Sequence, residues 1–169
     1  TVSVGQVIQY SDGWKSFNNV LRQVTTSEAD FIKTQQSVLA LAKQTNSNLL
    51  STAELYGELT RATSDLGLSS ERVLGVTGTI NKLFLAGGKS AAEASGSIRQ
   101  LAQALAAGAL RGDEFNSVAE GAPRILDALA KQLNMTRGEL REFAATGGIT
   151  AEIMVKALEG YATEADKMV

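Results

Sequence analysis

The sequence predicts an all-α protein: a compact multi-helix bundle of roughly seven to nine helices joined by short Gly, Ser and Asn turns. Composition is the first reason. Aromatic residues are only 5%, while Ala, Leu, Glu and Gln abound, and that mixture favours helix over sheet. Periodicity is the second: apolar residues recur three and four apart in stretch after stretch. Punctuation is the third, because capping residues and glycines fall where each apolar stripe begins and ends. The 169 residues, 44% hydrophobic, suffice for one sizeable core.

The elements follow in order. From Thr1 to Tyr10, Val2, Val4 and Val7 give a partial alternation, and Asp12-Gly13 reads as a turn. Residues 1–13 are therefore expected to be an extended linker or a short strand. Trp14, Phe17, Val20, Leu21 and Val24 fall at helical spacing. Ser27-Glu28-Ala29-Asp30 starts a second helix, carried by Phe31, Val38, Leu41 and Ala42 and fading at Asn46-Ser47-Asn48. Residues 14–48 thus read as an N-terminal helical hairpin, with a break near Asn46 to Leu50 before a helical domain over 49–169.

That domain opens on Ser51-Thr52-Ala53-Glu54, a capping-box spacing, followed by the stripe Leu55, Leu59, Ala62 and Leu66. Gly67 stands where a left-handed C-cap is wanted. Leu68 and Val73 flank Ser69 as a hydrophobic staple, and Val76, Ile80, Leu83 and Phe84 carry the next face to Gly87-Gly88. Ser90-Ala91-Ala92-Glu93 repeats the capping box ahead of Ile98, Leu101, Ala102 and Leu105, and Gly108 closes that helix. Asp113 is expected to cap a short helix through Phe115, Val118 and Ala119. Pro123 suits a first helical turn, and Ile125, Leu126, Leu129 and Leu133 lead to Asn134 as C-cap. Thr136-Arg137-Gly138-Glu139 starts a helix through Leu140, Phe143 and Ala144, stopped by Gly147-Gly148. Thr150 starts the last, through Ile153, Met154, Ala157, Leu158 and Tyr161.

Several function classes drop out. Without cysteine there is no disulfide scaffold, thiolate zinc site or Cys nucleophile. Without histidine there is no Ser-His-Asp triad, and the commonest metal ligand is gone. A net charge of −2 argues against a strongly basic nucleic-acid binder. No apolar run is long enough to span a bilayer. The chain opens on Thr1 rather than Met, so we expect an excised or processed piece of a longer protein.

Each remaining motif has a chemical and a structural reading. The turn Gly108-Ala109-Leu110-Arg111-Gly112-Asp113-Glu114-Phe115 could cradle an anion at a helix start, yet Asp113 and Glu114 would repel a phosphate, which favours a capped turn. Leu133 to Ile153 has the order of a helix-turn-helix, with Arg137 and Arg141 at i,i+4 for phosphates. Glu139 and Glu142 interleave with them, which favours surface ion pairing. Glu54 with Glu58, and Glu139 with Glu142, share helix faces, but acid–base work would need burial and split pKa values. Trp14 and Phe17 read as packing more than as a partner anchor. The Ala-rich face from Ala91 to Ala109 permits close helix approach, and Arg99 and Gln100 within it favour a soluble bundle over a membrane-active segment.

Residues 100–158, QLAQALAAGALRGDEFNSVAEGAPRILDALAKQLNMTRGELREFAATGGITAEIMVKAL, carry more pattern than a bundle requires. They resemble the N-terminal domain of tape measure proteins of tailed bacteriophages and prophages. Gly108, Leu110, Gly112, Asp113, Glu114 and Phe115 match the family's G-x-L-x-G-[DE]-E-[FL], and Glu120, Ala122, Pro123 and Ile125 its E-x-A-P-x-[IL]. Ala130, Lys131, Thr136, Gly138, Leu140 and Phe143 follow its next helix and turn. Gly148, Ile149, Thr150, Glu152, Ala157 and Leu158 fit its closing G-x-[IL]-[TS]-x-[ED] and downstream AL. LYGELTRATSDLGLSSERV and the Gly87-Gly88-Lys89-Ser90 turn are similar too, so the resemblance spans about residues 50 to 160. Asn134 replaces a common Gly, and a left-handed cap accepts either.

The resemblance implies a structural protein of tail assembly and tail length determination, with no catalytic, cofactor or metal site. Such a protein lies inside the growing tail tube, where its helical length sets tail length. It is made in the bacterial host cytoplasm and ends in the tail lumen of the virion. The implied partners are the tail tube protein, tail assembly chaperones or tail tip proteins, with self-association left open and neither small-molecule substrate nor nucleic acid expected. A ruler wants unbroken helix, and 169 residues in one helix would span roughly 250 Å. This sequence instead stops a helix roughly every fifteen to twenty residues. It therefore reads as a folded end domain rather than the ruler. Its expected contact residues are Gly108, Arg111, Gly112, Asp113, Glu114, Arg137 and Arg141. A small helix-turn-helix nucleic-acid module is the alternative from another class, followed by a membrane-active helical domain and a carboxylate enzyme.

Overall fold

A computed structural model describes the backbone of residues 4–168, with side chains from residue 12. Helix follows helix: α1 Val4–Arg22, α2 Glu28–Gln44, α3 Leu49–Ala62, α4 Ser70–Ala86, α5 Ala91–Ala106, α6 Gly112–Gly121, α7 Pro123–Leu133, α8 Arg137–Ala145, α9 Ala151–Glu159 and α10 Ala162–Asp166. A 3-10 turn, Ser64–Leu66, follows α3. The fold is an all-α bundle, as the composition and periodicity predict.

Most expected punctuation is in place. Ser27, Ser69, Thr136 and Thr150 each accept the amide three residues on. Ser90 with Glu93, and Thr136 with Glu139, form reciprocal capping boxes. Pro123 opens α7, and Asn134, at φ +54°, closes it in the left-handed conformation. Gly67 takes the same conformation at φ +66°.

Four expectations need correction. Residues 4–13 are helical, not extended, while residues 1–3 lie outside the described residues. Val7, Tyr10, Trp14, Phe17, Leu21 and Val24 repeat at three and four, a helical period that outweighs the partial alternation, and Gly13 weakens a helix without ending it. Ser51 is not a cap: α3 starts earlier, and the Asn48 side chain accepts from Ser51 N at 2.9 Å. Asp113 lies inside the first turn of α6, whose cap Arg111 makes no side-chain bond. Its carboxylate faces the positive helix end as a charge rather than a cap. The last segment divides at Gly160 into α9 and α10, so Tyr161 belongs to neither.

The core gathers around α4, which touches α2, α3, α5, α7, α9 and α10. Val73, Val76, Thr77, Gly78, Thr79, Ile80, Asn81, Leu83 and Phe84 are all buried, so this helix is enclosed almost all round. The buried threonines turn their hydroxyls back to carbonyls one helical turn earlier, which satisfies them without a partner helix. The α1–α2 hairpin seats on the rest at two glycines. Val20 Cγ1 would lie 3.5 Å from a Cβ at Gly57, and Leu41 Cδ1 fills the place of one at Gly78. Trp14 stacks on the buried Phe17 with ring centroids 5.3 Å apart while staying 41% exposed itself.

Candidate partner-contact site

Two turns far apart in the chain meet. Gly108, at φ +111°, sends the backbone out of α5 and across to the turn that follows α8. There Leu110 N donates to Ile149 O at 2.8 Å, and Ala109 pairs with Thr150 in a single antiparallel bridge. Leu110 and Ile149 are fully buried, so apolar burial backs the bridge. Arg111 lays its guanidinium over Gly147, itself at φ +81°. A Cβ there would sit 2.6 Å from Nη2. Phe143, one turn earlier on α8, covers Gly148 with its ring.

This clamp gathers Gly108, Arg111, Gly112, Asp113 and Glu114 on one corner. Arg111 and Asp113 are exposed and Glu114 is half-buried. Asp113 and Glu114 join Gln100, Gln103 and Ser117 around an open polar groove of about 210 Å³ between α5 and α6. Its carboxylates make it a poor home for an anion.

The two arginines of α8 differ. Arg137 pairs with Asp127 of α7 and also donates to Pro123 O at 3.2 Å, which fastens the start of α8 to α7. Arg141 is exposed and joins no ion pair among the described residues. A phosphate-gripping pair would need both.

Three of the four paired carboxylates are also occupied. Glu54 accepts from Arg99 Nε at 2.8 Å and Glu58 pairs with Arg61 within α3. Glu139 closes its capping box on Thr136 N at 3.1 Å. The titration shifts that do occur lie elsewhere. Two parallel bonds from Arg72 hold Glu159 below the usual carboxylate range, and Lys131 does the same to Glu164. Burial pushes the Tyr56 hydroxyl upward.

Sequence reasoning missed the close backbone approaches. A Cβ at Gly121 would lie 2.9 Å from Ser97 Oγ, and one at Gly87 would lie 3.2 Å from Gly121 O. So the glycine before Ala122-Pro123 lets the end of α6 rest on α5 and the end of α4. It also missed Asn81, a fully buried amide in an apolar stretch, whose polarity beside Ile80 was the available signal. Among the described residues no helix is long and apolar enough to cross a membrane, and no three His, Cys, Asp or Glu side chains group as metal ligands.

A family model described as "Tape measure protein" matches residues 5–169, nearly the whole chain. No curated protein and no solved structure matches it significantly.

Proposed function

We propose that this chain, which belongs to the tape measure protein family, is a folded domain that attaches a longer tape measure protein to other tail components. Membership makes it a phage tail structural protein. The observation that carries the finer reading is helix length. The longest described helix, α1, has 19 residues. That is about 28 Å at a rise of 1.5 Å per residue, against the roughly 250 Å of one continuous helix. Capped turns between helices spend the chain on a core rather than on reach, so ruling falls to another part of the protein.

The contact surface we assign is the corner built by Gly108, Arg111, Gly112, Asp113 and Glu114, together with the α8 face bearing Arg137 and Arg141. Arg111, Asp113 and Arg141 offer exposed charge on a rigid support, which suits protein partners such as the tail tube protein, an assembly chaperone or a tail tip protein. The site of action follows: host cytoplasm during assembly, then the tail lumen. The chemistry is binding, not catalysis.

Tail length in electron micrographs tests this. An insertion of about fifty helical residues after residue 169 is expected to lengthen tails by roughly 75 Å. Unchanged length would remove the ruler role from the parent protein. Deleting residues 1–169 is expected to abolish tails, whereas normal tails would make the domain dispensable. A pull-down with Arg111→Glu and Arg141→Glu is expected to lose tail components, and full capture would acquit this corner.

A further inference from the structure

The last two helices are one helix by sequence and two by structure. Met154, Leu158, Tyr161, Ala165 and Met168 are spaced four, three, four and three, an unbroken helical stripe from α9 through α10. Ala, Glu, Lys, Leu and Met fill most of residues 151–168, no proline interrupts them, and Gly160 is the weakest position. The backbone nevertheless bends there. Gly160, at φ −68° and ψ −14°, is still right-handed and keeps a helical bond to Lys156 O at 3.3 Å. Tyr161, at φ −106° and ψ 1°, leaves the helical range, and its N–H tightens onto Leu158 O at 3.1 Å. A turn of about 40° in both angles at Tyr161 would restore regular helix.

What holds the bend is tertiary. Gln132 Nε2 donates to Gly160 O at 3.3 Å, a carbonyl that a continuous helix would turn to the amide of Glu164. Lys131 stands 5.7 Å over the Tyr161 ring and pairs with Glu164, while Lys82 of α4 pairs with Asp166. Both ion pairs reach solvent, so salt or a competing charge weakens them. α10 itself has five residues, too few to stand as a helix alone. The geometry points to a two-state end: a bent state docked on α4 and α7 by these ties, and a released state in which residues 151–168 form one straight helix. α9 keeps its own hold in both states, through Arg72–Glu159 and the buried Met154 and Leu158. Release gives up the burial of Tyr161 and Ala165 and regains the backbone bonds lost at the bend. Gly160 is exposed, so the straight course leaves at the surface. The device stands without the tail reading. Only its use rests on that reading: in a domain joined to a longer tape measure protein, release turns residues 161–168 from bundle into about 12 Å of reach.

A distance measurement on the chain alone tests it, separately from any tail assay. Because the chain has no cysteine, Lys89→Cys and Lys167→Cys place two spin labels and no others, one just after α4 and one just after α10. Electron–electron double resonance is expected to read a single distance in this background. Adding Lys82→Gln with Lys131→Gln, or adding Gly160→Ala, is expected to bring in a second distance, longer by on the order of 10 Å, the length of seven helical residues. Alanine favours continuous helix, and its Cβ would meet Gln132 Oε1 at 2.5 Å in the bent state. The Cα chemical shifts of residues 160–166 are expected to stay helical as the longer distance appears. A longer distance in neither variant overturns the proposal. A longer distance accompanied by coil shifts overturns it as well, because the end then frays instead of straightening. Should the variants fail to fold, the labelled chain in about 1 M salt, which screens both ion pairs, is read in the same way and with the same outcomes.

Discussion

The ring of Phe143 occupies the space that a side chain on Gly148 would fill. The two residues lie either side of the turn that ends α8, and Gly148 N bonds back to Phe143 O at 3.0 Å. Any Cβ must displace the ring. Gly148→Ala is expected to cost about 1–3 kcal/mol, the usual range for overpacking. Adding Phe143→Leu should return part of that loss. Urea unfolding of the single and double variants measures the coupling.

The start of α3 distinguishes a true cap from an apparent one. Asn48 accepts from Ser51 N, so Asn48→Ala should cost about 1 kcal/mol, and Thr136→Ala a similar amount at α8. Ser51→Ala should cost less, since it removes only a hydroxyl that bonds back to Asn48 O. Thermal denaturation of the three variants orders them. Equal losses at Asn48 and Ser51 would count against the assignment.

Arg72 and Glu159 join the start of α4 to the end of α9 by two bonds, of 3.0 and 2.8 Å. Those bonds lower Glu159 from its ordinary 4.5 in the folded chain. Its contribution is therefore present above the unfolded value and is lost as pH falls through the lower folded one. Glu159→Gln should lower Tm by about 1–2 °C at neutral pH, as fits a partly exposed pair, and match the native chain well below pH 4.5. A difference that persists in acid would mean that the loss is not electrostatic.

Ion pairs also hold the C-terminal turn of helix. α10 buries Ala165 and is tied by Lys82–Asp166 to α4 and by Lys131–Glu164 to α7. Screening shortens the Debye length from about 10 Å at 0.1 M salt to about 3 Å at 1 M. Amide exchange across residues 162–166 should therefore quicken in high salt while the centre of α4 stays protected. Exchange monitored by mass spectrometry or NMR at the two salt concentrations compares them.

Local chemistry made the helices legible. Caps at Ser27, Ser69, Ser90, Thr136 and Thr150, and stops at Gly67 and Asn134, act within one turn of chain, so sequence states them directly. Two local signals compete at residues 4–13, where the helical period prevails over the alternation, and at the start of α3, where Asn48 caps ahead of the capping-box spacing at Ser51. The candidate corner was legible only in halves. Gly108 and Gly147-Gly148 announce turns, but nothing periodic in the chain says that Leu110 will pair with Ile149. The interleaved charges favour an ion pair for Arg137 but do not name its partner, because Asp127 sits on a different helix and sequence carries no distance between them. Asn81 was invisible for the same reason: its partners come from the ends of two other helices.

The lone tryptophan gives the chain a native optical reporter. Trp14 sits on α1, half in water and half against Phe17, while the rest of the core is aliphatic or Phe and Tyr. Excited at its red edge, its emission reads the seating of the N-terminal hairpin alone, whereas circular dichroism reads every helix. A partner that grips or lifts that hairpin would shift the colour of the fluorescence before any helix is lost, so binding at this end of the molecule can be followed without a label.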